Sequence, residues 1–256
     1  MVVNRRWTRN ELLAALNMYC QLPFGRLHAS NPAIIQLAHA MGRSPSALAM
    51  KLVNMASLDP RITSTGRTGL QNASSQDRRM WEEMQDDWER FAVEAEQAIA
   101  AFGLGEERAD GEEGEDTLTR FGEDRPVETT ARIGQRFFRT AVLSAYNGSC
   151  CITGLSFPRL LVASHIVPWS HDRSNRVNPR NGLLLSALHD KAFDAGMLTI
   201  NDDMTVRVSR SLFANADRFF SESISSYNGY SITLPQKFEP HRDFLRYHRE
   251  NIYVGD

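Results

Sequence analysis

The chain is poor in cysteine, with three in 256 residues and two of them adjacent at Cys150 and Cys151. Three thiols cannot build a disulfide framework, and no CxxC pair offers the ligand spacing of structural zinc. The expectation is a protein of the reducing cytoplasm without a zinc knuckle. Nowhere does the sequence approach the ~18 consecutive apolar residues of a membrane span, so no membrane partner is expected. The opening Met-Val-Val-Asn-Arg-Arg-Trp has no apolar stretch after its arginines, which argues against a secretory signal. Strong net charge is also lacking: 29 Lys and Arg stand against 31 Asp and Glu.

That balance hides an uneven distribution. Residues 1–102 carry 11 Lys and Arg against 10 Asp and Glu, residues 103–128 carry 3 against 10, and residues 129–256 carry 15 against 11. The middle stretch is rich in Gly and Glu and too polar to bury a core of its own. It reads as an acidic flexible linker between a helical domain (1–102) and a second domain (129–256). The mild basic excess of the second domain permits a polyanionic partner.

The first domain reads as helix throughout. Thr8 can cap a helix over about 9–21, with Leu12, Ala15, Leu16 and Tyr19 at helical spacing. Asn31 followed by Pro32 opens a helix through about Met41, and Ser44 followed by Pro45 opens another through about Met55. The tight turn between them at Gly42 gives helix-turn-helix geometry, with 46–54 in the position of a DNA-reading helix. One long helix over about 76–102 carries Trp81, Met84, Trp88 and Phe91 as a core stripe.

The second domain changes character, making the whole an α+β protein. A basic amphipathic helix over about 131–146 places Arg132, Arg136 and Arg139 on one face, suited to a phosphate backbone. Short apolar runs then alternate with turns. Four features cluster within 30 residues: His165 at the end of a strand, a polar loop with Asp172, Asn175 and Asn178, Asn181 opening the next strand, and His189 and Asp190 at a helix start. Asp190 and Asp194, four apart, share a helix face. Such a set suits phosphodiester hydrolysis. A neutral imidazole can take a proton from water near pH 7, an Asn can hold that imidazole in one orientation, and a hard divalent cation can stabilise the leaving oxygen. Each feature alone has an ordinary reading: histidines after strands are mostly structural, Asn-Gly is mostly a turn, and His-Asp at a helix start is often capping. Their joint order is what carries the chemistry.

These residues resemble the HNH, or ββα-metal, endonucleases, in the branch of bacterial restriction-type proteins. The match runs through Arg132-Ile133-Gly134-Gln135-Arg136-Phe137-Phe138-Arg139, Cys151-Ile152-Thr153-Gly154, Ala163-Ser164-His165-Ile166-Val167-Pro168-Trp169, Asn178-Pro179-Arg180-Asn181-Gly182-Leu183 and the stretch from His189 to Gly196. It continues through about residue 253, half of the chain. The resemblance implies a metal-dependent DNA endonuclease acting in restriction or defence against foreign DNA. His165 would be the general base and Asn181 the residue that braces the loop. His189 or Asp190 would bind the metal, with Asp194 as a further ligand. The cation expected is Mg²⁺, with Mn²⁺ or another transition metal as alternatives. Many relatives carry a metal-binding Asp or His just before the base, where this chain has Ser164. That departure supports a rival reading, a non-catalytic helix-turn-helix regulator with a degenerate nuclease domain. RNA is a third candidate substrate. Cutting two strands with one site per chain suggests a homodimer. His171 is expected to be an ordinary loop residue, with a phosphate contact as the alternative; His241 and His248 are expected to be structural, and Cys150 and Cys151 to pack beside the first strand.

Overall fold

The computed structural model describes residues 5–64, 72–104, 125–211 and 217–255, so most of the acidic linker lies outside the described residues. The N-terminal part is built from capped helices. In α1 (Arg9–Gln21), Thr8 and Glu11 form a reciprocal capping box. Asn31 caps α2 (Pro32–Ala40) and Ser44 caps α3 (Pro45–Ala56), each with proline in the first turn, where a missing N–H costs nothing. Gly42 makes the turn between them at φ +67°, a conformation open to glycine at little cost. A short α4 (Pro60–Ser64) follows.

The long helix predicted over 76–102 is two helices, α5 (Ser75–Asp86) and α6 (Trp88–Ala101). Asp87 leaves the helical region at φ −151°, and its carboxylate caps the second helix by accepting from Arg90 N at 2.9 Å. Asp competes with a continuous helix in this way because its short side chain reaches the orphan amides of a new first turn.

The pair α2 and α3 packs as a helix-turn-helix, but α3 is a core helix. Its lysine, Lys51, is buried and held by both carboxylate oxygens of Asp77 at 2.8 and 2.9 Å, and Asn54 is buried beside it. The exposed residues of α3 are Ser46 and Met50. That outward face carries no Lys or Arg, and Ser46 is its one exposed polar side chain.

The next helix, α7 (Arg125–Ala145), starts earlier than the predicted 131. Its Phe137 packs on Trp88 and Phe91 of α6, while Phe138 and Val142 face the strands. Antiparallel β1 (Leu161–His165) and β2 (Gly182–Ser186) pair in the register Leu161 to Ser186 and His165 to Gly182. β2 runs directly into α8 (Ala187–Asp194), whose first turn is capped by Ser186. A second hairpin, β3 (Leu198–Ile200) and β4 (Val206–Val208), is followed by α9 (Arg218–Ser223) and α10 (Arg242–Asn251). One buried cluster runs from Leu12 in α1 to Leu245 in α10, so helical and mixed parts share a core. Among the described residues no helix is long and apolar enough to cross a membrane.

Candidate active site

The site is a strand–loop–strand–helix unit. β1 ends at His165, the chain loops out over 166–181, and β2 returns it to α8. The loop folds by its own polar residues. Asp172 accepts from the amides of Ser174 and Asn175 and from the Asn175 side chain, and Asn178 donates to Asn175 at 3.0 Å. Asn181 is fully buried and closes the base of the loop. Its Oδ1 accepts from Val167 N at 2.8 Å, and its Nδ2 donates to Val167 O at 3.1 Å and to Asn175 O at 3.3 Å. A buried amide making three such bonds fixes two loop segments at once, since each backbone group would otherwise be left unsatisfied.

His165 lies half-buried at the mouth of this loop. Its Nε2 is 2.8 Å from the carbonyl of Arg176. A carbonyl can only accept, so Nε2 carries the proton and neutral His165 presents an unprotonated Nδ1. The tautomer is thus held by a backbone carbonyl, not by the Asn181 amide. Phe138 stacks on one face of the ring at 3.9 Å, and Trp169 meets it edge-on at 5.5 Å. Burial lowers the His165 pKa, opposed by the Arg176 carbonyl, so the imidazole is neutral at pH 7.

The side-by-side His189 and Asp190 point in different directions. His189 is buried, with Nδ1 2.8 Å from Ser186 Oγ and its ring edge-on to Tyr227 at 5.3 Å. Asp190 is buried against β1. There Ser164 Oγ, itself buried and outside good hydrogen-bond geometry, lies close enough to favour the charged carboxylate. Burial nonetheless raises the Asp190 pKa. Asp194 is raised as well, first by burial of its carboxylate and then by the Asp190 charge, although the residue as a whole is exposed. Burial is the main cause at both carboxylates, and the charge of Lys191 opposes it at each.

Among the described residues no three His, Cys, Asp or Glu side chains gather into a ready metal cage. Asp190, near the buried Ser164 hydroxyl that makes no hydrogen bond, and Asp194 one turn further along α8 are oxygen donors of the kind a hard cation takes, with most of its shell left to water and substrate.

The three arginines of α7 are exposed, but they have protein partners. Arg136 pairs with Glu96 of α6, and Arg139 donates to the Leu161 carbonyl at 3.1 Å. Arg132 also has a protein interaction. His171 meets the Tyr247 hydroxyl at 2.9 Å, His241 caps α10, and His248 is buried on Phe193. Cys150 and Cys151 are buried, and burial pushes the Cys151 thiol well above its ordinary pKa, away from nucleophilic chemistry.

Two antiparallel strands feed a helix, with a tautomer-fixed histidine on the first strand and carboxylates on the helix, a ββα unit. Residues 150–201, which span β1, β2, α8 and β3, match the family model described as HNH endonuclease, and this places that part of the chain in the HNH family. No curated protein matches the chain. An HNH endonuclease domain points to nuclease activity, and HNH nucleases generally depend on a divalent metal.

Sequence reasoning missed Arg176, Phe138 and Trp169 as neighbours of His165. Arg176 acts there through its backbone oxygen, for which no side-chain signal exists. The aromatic pair was visible as apolar residues without any sign of where they would meet.

Proposed function

We propose that the C-terminal part of the chain is a metal-dependent DNA endonuclease serving restriction or another defence against foreign DNA, with His165 as general base. The observation that carries this reading is the Nε2 bond to the Arg176 carbonyl, which leaves Nδ1 as the acceptor. Nδ1 takes a proton from water, the water oxygen attacks phosphorus, and the bond from phosphorus to the leaving oxygen breaks. Depression of the His165 pKa by burial keeps the base unprotonated at neutral pH. Asn181 holds the loop that carries the Arg176 carbonyl, so its role is positioning. Asp190 and Asp194 would hold a Mg²⁺ ion. When bound, that ion supplies charge stabilisation for the phosphate and the leaving oxygen. His189, turned toward Ser186 and Tyr227, is proposed as structural. The arginines of α7 would add backbone contacts only if DNA outcompetes their protein partners.

The test is cleavage of supercoiled plasmid, plain or carrying modified bases, with Mg²⁺, Mn²⁺ or chelator. Metal-dependent nicking or linearisation is expected, lost in His165→Ala and in Asp190→Asn and kept in His189→Gln. Cutting that persists in His165→Ala would overturn the assignment of the base. A Mg²⁺-induced rise in Tm is expected for the wild type and not for Asp190→Asn. The regulator reading gains nothing from α3, whose outward face is uncharged; DNA binding without any cleavage would restore it.

A further inference from the structure

One contact ties the site to the helical half of the chain. Glu89, in the first turn of α6, receives Arg176 Nη2 at 3.1 and 3.2 Å through its two carboxylate oxygens. The Arg176 guanidinium lies 4.9 Å over the Trp169 ring, and Trp169 in turn lies T-shaped to His165. The backbone oxygen of the same Arg176 holds His165 Nε2. Arg176 therefore grips the imidazole with its main chain while its side chain is anchored to α6.

We propose that Glu89, acting through Arg176, is a positioning residue for His165. The proposal rests on the reading of His165 as the general base.

Three features support it. Arg176 Nε is buried and without a hydrogen bond, so the Glu89 pair and the Trp169 face are what fix the guanidinium. Arg176 and Glu89 are 23% and 31% exposed at their side chains, a partly desolvated pair where an ion pair keeps more of its strength than on an open surface. The break at Asp87 restarts the helix immediately before Glu89, which fixes where α6 aims its first turn. Bonds from Asn181, Asp172 and Asn178 brace the loop from within on either side of Arg176; pinning the Arg176 side chain to a second element further restricts the direction of its carbonyl. Small misplacements of a base are costly, because rate depends steeply on the geometry of attack. The helical half thus supplies part of the alignment of the nuclease site.

The experiment uses the full chain as wild type, Glu89→Gln, Glu89→Asp and His165→Ala. The imidazole tautomer of His165 is read by ¹⁵N NMR without metal or DNA, with His165→Ala providing the assignment, and single-turnover plasmid cleavage is measured with Mg²⁺. Wild type should show the Nε2–H form. Glu89→Gln should mix the two tautomers and slow cleavage about ten-fold at unchanged DNA affinity. Glu89→Asp should recover most of both. A purely structural role for Glu89 would lower Tm and leave the tautomer alone. Slower cleavage without a tautomer change, a tautomer change without slower cleavage in a cutting enzyme, or no change in either overturns the proposal. A wild type that never cuts, with a tautomer that still shifts in Glu89→Gln, would sink the nuclease reading and keep the positioning.

Discussion

The ring of Phe138 lies flat on the imidazole of His165, with centroids 3.9 Å apart and planes 8° from parallel. An aromatic face laid on a neutral imidazole excludes water from one side and leaves the ring edge as its route to substrate. The stack exists because β2 lets α7 approach. A Cβ at Gly182 would sit 2.5 Å from Val142 Cγ2 and 2.9 Å from Phe138 Cζ.

Gly182→Ala should therefore push Phe138 off His165. Overpacking of this kind costs about 1–3 kcal/mol. Urea unfolding should register the loss, and cleavage should fall by more than the folded fraction alone explains. Unchanged stability would mean that α7 and β2 separate freely, contrary to the buried packing between them.

Asn181→Ala removes three hydrogen bonds from a fully buried side chain and strands the N–H and C=O of Val167. The expected cost is about 2–4 kcal/mol, within the range for unsatisfied buried polar groups. Hydrogen exchange at Val167 and in the 166–181 loop should accelerate while α1 to α3 keep their protection. Loss confined to activity, with the loop still protected, would move Asn181 from loop brace to direct contact with substrate.

Lys237 is fully buried and reaches back to the C-terminal end of α1, where its ammonium donates to the carbonyls of Tyr19, Cys20 and Leu22. Burial pushes its pKa down to about 7, opposed by Cys20 and Asp59. A cation there answers orphan carbonyls and the negative end of the helix dipole. Lys237→Met should cost about 3 kcal/mol, because three acceptors lose their donor. Exchange at the last turn of α1 should rise first.

His248 gives the molecule an acid-sensitive joint. Its Nδ1 receives the Thr199 hydroxyl at 2.9 Å, its Nε2 donates to Phe193 O at 3.1 Å, and its ring stacks on Phe193 at 3.7 Å. Burial lowers its pKa to about 4, with the Phe193 carbonyl opposing and Arg249 adding to the shift. The unfolded chain, near the ordinary ~6.5, binds this proton first. The His248 contribution is thus complete above pH ~6.5 and is lost as the pH falls from there to about 4, a change of about 3 kcal/mol. Unfolding at pH 7 and pH 4.5 should show a smaller difference for His248→Gln than for wild type. Equal slopes would place the acid sensitivity in other groups.

The local signals in the sequence read well wherever short-range chemistry decides the outcome. Thr8, Asn31 and Ser44 were legible as caps because a side-chain oxygen beside free amides settles a helix start within a few residues. His165, Asn181 and His189-Asp190 were legible as strand end, start of the next strand and helix start, because short apolar runs bounded by polar turns mark strands locally. Asp87 was misread because its neighbours continue the helical apolar stripe through it, and only the cap bond to Arg90 shows the break.

What the sequence alone determined is most of the elements and the inventory of candidate groups: two imidazoles, one amide, two carboxylates at helical spacing. The tertiary structure alone decided their directions. Packing against β1 turned Asp190 toward Ser164 and left His189 with Ser186 and Tyr227, a choice invisible to spacing because adjacent helical residues differ only by rotation about the axis. Burial made Lys51 a core ion pair with Asp77, although a lysine on a helix-turn-helix could equally have faced DNA. The tautomer of His165 depends on the carbonyl of Arg176, a group that every residue carries and that becomes specific only when the folded loop aims it.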